Sequence, residues 1–233
     1  MNDLIFRQVR ILDGSGGAEF IGDVSVREGR INEVGAVTEG LAPGGREISA
    51  EGAVLCPGLI DTHAHDDGAF FRHPGMEFKL SQGVTTVVSG NCGFSAIPAD
   101  PTKDSVAASG GILAGLEGKF TDLDGYYAAA LARQPAINNM MLVGHNTVRS
   151  LVMGDSKSAP NDLQLQEMQR HVTHALEQGA CGFSSGLIYR PGRYSDTAEV
   201  TELAKMAAPF DALYTTHMRN EGDRLLEAVD ESL

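Results

Sequence analysis

The rhythm of apolar and polar positions changes once along the chain, at Cys56-Pro57-Gly58. Before it the pattern predicts β structure. Leu4–Leu12 is a first strand. Asp23-Val-Ser-Val26 and Ile31–Val34 flank Arg27-Glu-Gly-Arg30, where Gly29 can take the positive φ of a hairpin turn. Gly44-Gly45 predicts another turn, after which Glu47–Leu55 can pair back. Short strands without a helix need a partner layer, so residues 1–56 are expected to belong to a larger β assembly.

After Pro57 strand-like and helix-like stretches alternate, the pattern of βα units on a parallel sheet. Leu59–His63 starts the series, and Pro74–Gln82 predicts a short helix closed by Gly83. Val84–Ser89 is a β-branched run suited to a strand buried on both faces. Residues 94 to 120, rich in Ala, Gly, Ser and Asp, predict a long loop. Thr121-Asp-Leu-Asp124 resembles a capping box opening a helix to Arg133. Met140–Val143 is a third strand, and Asn161–Gln164 caps a helix whose Leu165, Met168, Val172 and Leu176 share one face. Ala180–Phe183, a helix over Asp196–Ala207, Ala212–Thr216 and a helix from Glu221 complete the series. The expected fold class is α/β: a partial (β/α)8 TIM barrel of about five βα units over residues 57–233, preceded by the β segment over residues 1–56. A closed barrel needs about 250 residues by itself, so the series reads as the first part of one.

Function in such barrels sits at the C-terminal ends of the strands. In Leu59-Ile-Asp-Thr-His-Ala-His65, His63 and His65 are two apart and share a face of the first strand. The later strand ends carry Cys92, His145, Ser184-Ser185 and His217. Imidazole nitrogens with a thiolate suit zinc, which can acidify a bound water near neutral pH. Taken singly, each residue also has a plainer role. Cys92 in Gly-Asn-Cys-Gly fits a small buried residue. His145 fits a group that holds a loop or supports a ligand. His217 fits either role, and Tyr189 fits loop packing. His73, His171 and His174 lie in loop or helix-like segments and are assigned structural or solvated roles.

Composition narrows the partners. The net charge of −13 gives no basic face for phosphate, which argues against nucleic acid and anionic membrane surfaces. No apolar run reaches the length of a membrane span, and the N-terminus lacks the basic-then-apolar pattern of a secretory signal. Three scattered cysteines form no disulfide framework, so the expectation is a cytoplasmic protein with reduced thiols.

With these residues in view, the chain resembles the amidohydrolase superfamily and, within it, the N-acyl-D-amino-acid deacylases. The superfamily's Pro-Gly-x-Ile-Asp-x-His-x-His stretch matches Pro57–His65. The narrower motifs are His65-Asp-Asp67, Ser81-Gln-Gly-Val-Thr-Thr-Val-Val88, Gly90-Asn-Cys-Gly93, Val143-Gly-His145 and Thr216-His-Met-Arg-Asn-Glu-Gly222. The resemblance implies a small β-sandwich, built from both chain ends, beside a zinc-bearing barrel. It implies that His63 and His65 hold one metal position, that Cys92 is the shared ligand and that His217 holds the tightly bound zinc, with a second, weaker zinc position. Tyr189 corresponds loosely to a substrate-contacting tyrosine.

Other amidohydrolases use a carboxylated lysine on the fourth strand. Phe183-Ser-Ser-Gly has none, which supports the cysteine branch. A further zinc histidine, a substrate-binding lysine and the catalytic aspartate of a Gly-Ser-Asp segment are expected past Leu233. The implied reaction is hydrolysis of an N-acyl-D-amino acid to a carboxylate and a D-amino acid. The alternatives are a cyclic amide substrate, as for dihydroorotases and hydantoinases, or an inactive half-barrel. An open half-barrel is expected to self-associate or to recruit a complementing C-terminal half.

Overall fold

The computed structural model describes residues 1–50, 52–102, 113, 116 and 119–233. They form two compact units, Met1–Gly58 and Leu59–Leu233. The first is a five-stranded sheet of β1 (Asn2–Ile11), β2 (Phe20–Arg27), β3 (Arg30–Gly35), β4 (Leu41–Ser49) and β5 (Val54–Leu55). The β2–β3 hairpin turns on Glu28 and Gly29, both at positive φ, which matches the twist of the paired strands. β4 and β5 both run parallel to β1. The expected turn at Gly44-Gly45 is instead a bulge inside β4, which takes five residues to advance where β1 takes two. Ile5, Val9, Ile11 and Val24 are the buried apolar side chains of this unit.

The second unit is the expected series of βα units. Its parallel sheet runs in chain order through β6 (Leu59–Asp61), β7 (Val84–Ser89), β8 (Asn138–Gly144), β9 (Gly182–Gly186) and β10 (Leu213–His217). Sequential order with helical crossovers curls the sheet into part of a (β/α)8 barrel. The helices are α1 (Ala69–Arg72), α2 (Glu77–Leu80), α3 (Leu123–Leu131), α4 (His145–Met153), α5 (Asp162–Glu177), α6 (Thr197–Ala204) and α7 (Leu225–Ser232). The edge strands leave apolar surface open, with Leu59, Ile60 and Leu213 each more than half exposed.

Several local expectations change. The cap of α3 is Asp122, not Thr121; its carboxylate accepts the Gly125 N–H. The helix expected over Pro74–Gln82 shortens to α2. The fourth strand shifts two to three residues, so Ser184 and Ser185 lie inside β9 rather than after it. α4, starting at His145, was not expected. The loop expected over residues 94–120 has no helix or strand at its described residues, and the rest of it lies outside them. The capping box at Asn161 and Gln164 is present in full.

Two buried arrangements fix the strand ends. Phe71, Phe120 and Tyr126 pack ring on ring at 5.4–5.5 Å, and the Tyr126 hydroxyl donates to the Asp67 carbonyl at 2.9 Å. That holds the segment following His65 against α3. Glu199 on α6 lies between Arg149 and His145, all three buried; His145 Nε2 is 2.8 Å from Glu199 Oε1, and Arg149 Nη1 pairs with Oε2. Burial alone would raise the Glu199 carboxyl, but the hydrogen bonds and charges of His145 and Arg149 hold it below the ordinary range. The three side chains tie α4 to α6.

Removing the Glu199 carboxylate leaves Arg149 buried and unpaired, at a cost of about 3–5 kcal/mol. Urea unfolding of Glu199→Ala should show this, with Glu199→Gln losing less. Because the folded-state carboxyl is depressed, its stabilisation is present above the ordinary glutamate range and is lost as pH falls through the folded value. Acid unfolding should therefore be less steep in Glu199→Gln than in the parent.

Candidate metal centre

β6 ends at Asp61, and the chain turns so that the His63 N–H donates to Asp61 Oδ1 at 3.1 Å. The other oxygen, Oδ2, is 2.6 Å from Lys79 Nζ, which also lies 3.0 Å from Asp66 Oδ2. Lys79 holds Asp61 below the ordinary carboxylate range, chiefly through that hydrogen bond. One lysine on α2 thus brackets the His-x-His segment. The two imidazoles stand edge to face, with centroids 5.5 Å apart.

Cys92 reaches the same place from the end of β7. Its turn, Gly90–Gly93, has positive φ at Gly90, Cys92 and Gly93. A left-handed conformation costs a non-glycine residue about 1–2 kcal/mol, so packing must hold it. The turn lies against bare backbone, since a Cβ at Gly186 would overlap the Cys92 carbonyl and one at Gly144 would overlap that of Gly93. The thiol then sits 3.2 Å from His63 Nε2 and 3.6 Å from His217 Nδ1. Donor atoms of His63, His65 and Cys92 lie within 4.8 Å of one another. On the far side of the His217 ring, Nε2 is 3.1 Å from Glu221 Oε1. A carboxylate there favours the Nε2–H tautomer and leaves the Nδ1 lone pair facing the thiol.

This donor set suits a thiophilic divalent cation. A ring nitrogen of His65, Nδ1, is buried without a hydrogen-bond partner. Burial, then the charge of His63, pushes His65 down, which keeps it neutral. Burial, then the charge of Glu221, pushes the Cys92 thiol up. A bound dication would reverse that second shift, because it stabilises the thiolate.

Tyr189 stands beside this group. Its hydroxyl is 3.3 Å from His217 Nδ1, and its ring packs on those of His217 and Phe94. Burial raises its phenol, so it stays protonated at neutral pH. His145 is elsewhere: its ring meets Glu199 and Phe183, and it supports the turn only through α4, where the Thr147 N–H donates to the Gly93 carbonyl at 3.1 Å. Sequence reasoning did not find Lys79 or the role of Glu221, and it placed Ser184 at a strand end without its contact to the Gly90–Gly93 turn. For Glu221 a signal existed, a carboxylate four residues after a ligand-type histidine. For Lys79 and Ser184 no motif gives the contact.

The profile of the amidohydrolase family matches residues 46–225. The chain belongs to the amidohydrolase family. This member is 43% identical over 231 residues to an N-acyl-D-glutamate deacylase of Alcaligenes xylosoxydans xylosoxydans, covering 99% of this chain and 46% of the relative. It is 38% identical over 237 residues to an N-acyl-D-aspartate deacylase of the same organism, again covering 99% and 46%. The crystal structure of N-acyl-D-glutamate deacylase from Bordetella bronchiseptica, complexed with zinc and a phosphonate inhibitor, superposes with a TM-score of 0.89 at 40% identity, covering 99% of this chain and 48% of that one. The amidohydrolase chain described here therefore spans about half the length of the relatives it matches.

A metal bound through the Cys92 sulfur would have to expel the thiol proton, and zinc affinity should then rise about tenfold per pH unit below the thiol's raised value. A chelator competition series across pH, on the protein and on Cys92→Ala, checks this. Tight zinc should be lost in Cys92→Ala. Unchanged metal content there would exclude the thiol as a ligand.

Proposed function

We propose that this amidohydrolase hydrolyses the amide bond of N-acyl-D-amino acids with zinc held by His63, His65, Cys92 and His217. The observation that carries the reading is the Cys92 thiol lying between His63 and His217 at the strand ends, where β9 offers serines and no lysine. Cys92 is the shared ligand. By the family resemblance the position it shares with His217, which Glu221 backs at 3.1 Å, is the tighter and the one it shares with His63 and His65 the weaker. When bound, zinc supplies Lewis acidity toward an amide carbonyl and toward water. Tyr189, protonated and beside His217, offers a donor to the acyl group.

By the family resemblance the general base comes from another segment. Asp61 and Asp66 are paired with Lys79. Asp67 is fully buried, pushed up to about 6 by that burial, and accepts the Ala96 N–H. None of the three is free to take a proton from water. The expected aspartate, the further zinc histidine and the substrate lysine would arrive on strands that pair with the open edges of β6 and β10, and further strands would complete a β-sandwich on the first unit. An acidic D side chain is the first choice of substrate, in line with the relatives at 43% and 38% identity.

Among the described residues no helix is long and apolar enough to cross a membrane. The reading places the enzyme in the cytoplasm, with its three thiols free and a net charge of −13 that disfavours nucleic acid.

The protein from its native source, reconstituted with zinc, should release amine from N-acetyl-D-glutamate, more slowly from N-acetyl-D-aspartate and a neutral N-acetyl-D-amino acid, and not from the L isomers. Turnover of a hydantoin or dihydroorotate, with no D-amide hydrolysed, would replace this reading by a cyclic-amide one.

A further inference from the structure

The thiol's position depends on a turn that L side chains rarely adopt, and one hydroxyl grips that turn at both ends. Ser184, on β9 and fully buried, accepts the Gly93 N–H at 3.0 Å and donates to the Gly90 carbonyl. Its two bonds fall on either side of Cys92, whose φ is 55°. Without the hydroxyl, the Gly93 N–H and the Gly90 carbonyl lose that buried partner, and the turn loses its Ser184 link to β9. The next residue, Ser185, points the other way along the strand. Its hydroxyl bonds Tyr214 and Thr216 on β10, each at 2.8 Å, and makes no bond to the turn.

We propose that Ser184 is a positioning residue for the sulfur ligand: its hydroxyl locks the Gly90–Gly93 turn and so holds Cys92 Sγ between His63 Nε2 and His217 Nδ1. The proposal rests on the metal-centre reading above. It adds that the fourth barrel strand, which carries no ligand of its own, acts on the metal through the backbone of a neighbouring loop. Groups that orient a ligand typically change metal affinity by about 10–100-fold when removed.

The test is metal binding, read without turnover. Zinc affinity is measured by competition with a chromophoric chelator, and the thiolate-to-cobalt charge-transfer band is recorded on the cobalt-substituted protein. Ser184→Ala should weaken zinc by about 10–100-fold and shift or flatten the band. Ser185→Ala, which removes an equally buried hydroxyl from the same strand, should keep the band. Thr and Val have nearly the same shape and differ in the hydroxyl. Ser184→Thr should therefore keep the native band and Ser184→Val should lose it, which isolates the hydroxyl even if the alanine variant folds poorly. Native affinity and band in Ser184→Ala or Ser184→Val would overturn the proposal. Cys92→Ala separates the two levels: if it keeps its metal the centre itself is misassigned, whereas if it loses metal while Ser184→Val does not, only the positioning role fails.

Discussion

Everything at the strand ends depends on placing one sulfur atom between imidazoles from opposite edges of an open sheet. His63 comes from the end of β6 and His217 from the end of β10, the two outer strands. Cys92 meets both because its turn bends across the ends of the intervening strands. That route has a cost in backbone conformation at Cys92 and forbids side chains at Gly144 and Gly186. A thiol buried there is harder to ionise than one in water, so the arrangement gains most when a cation is present to stabilise the thiolate.

The supports around the sulfur divide by chemistry. Charge holds the outer parts: Lys79 binds Asp61 and Asp66 beneath the His-x-His segment, and Glu221 faces His217. Neutral hydrogen bonds hold the centre, through Ser184 to the turn and through Thr147 to Gly93. Below both, the buried Glu199 with Arg149 and His145 fixes α4 against α6. This explains why His145, at a strand end like the metal-type histidines, turns toward a glutamate instead. Arg219, within the Thr216–Gly222 motif, has a similar structural task, pairing through two nitrogens with Glu231 on α7.

Much of this was legible in the chain because βα repetition and side-chain period are strong signals. Val84–Ser89 matches β7 residue for residue, and the Asn161 capping box is where its spacing puts it. The strand ends brought forward the residues that the fold gathers. What escaped was decided by tertiary contact. Gly44-Gly45 has turn chemistry, yet pairing with β1 absorbs it as a bulge. Both Thr121 and Asp122 are good caps by type, and the helix uses Asp122, whose carboxylate accepts the Gly125 N–H. α4 starts directly at a strand end with no cap side chain to announce it. Ser184 reads as an ordinary small polar residue until the turn from β7 is laid against it.

The most direct test of a sulfur-centred metal site is zinc-edge X-ray absorption on the protein as isolated. The account predicts a sulfur scatterer at about 2.3 Å together with imidazole nitrogens at about 2.0–2.1 Å. A first shell of nitrogen and oxygen alone, with no sulfur, would contradict it.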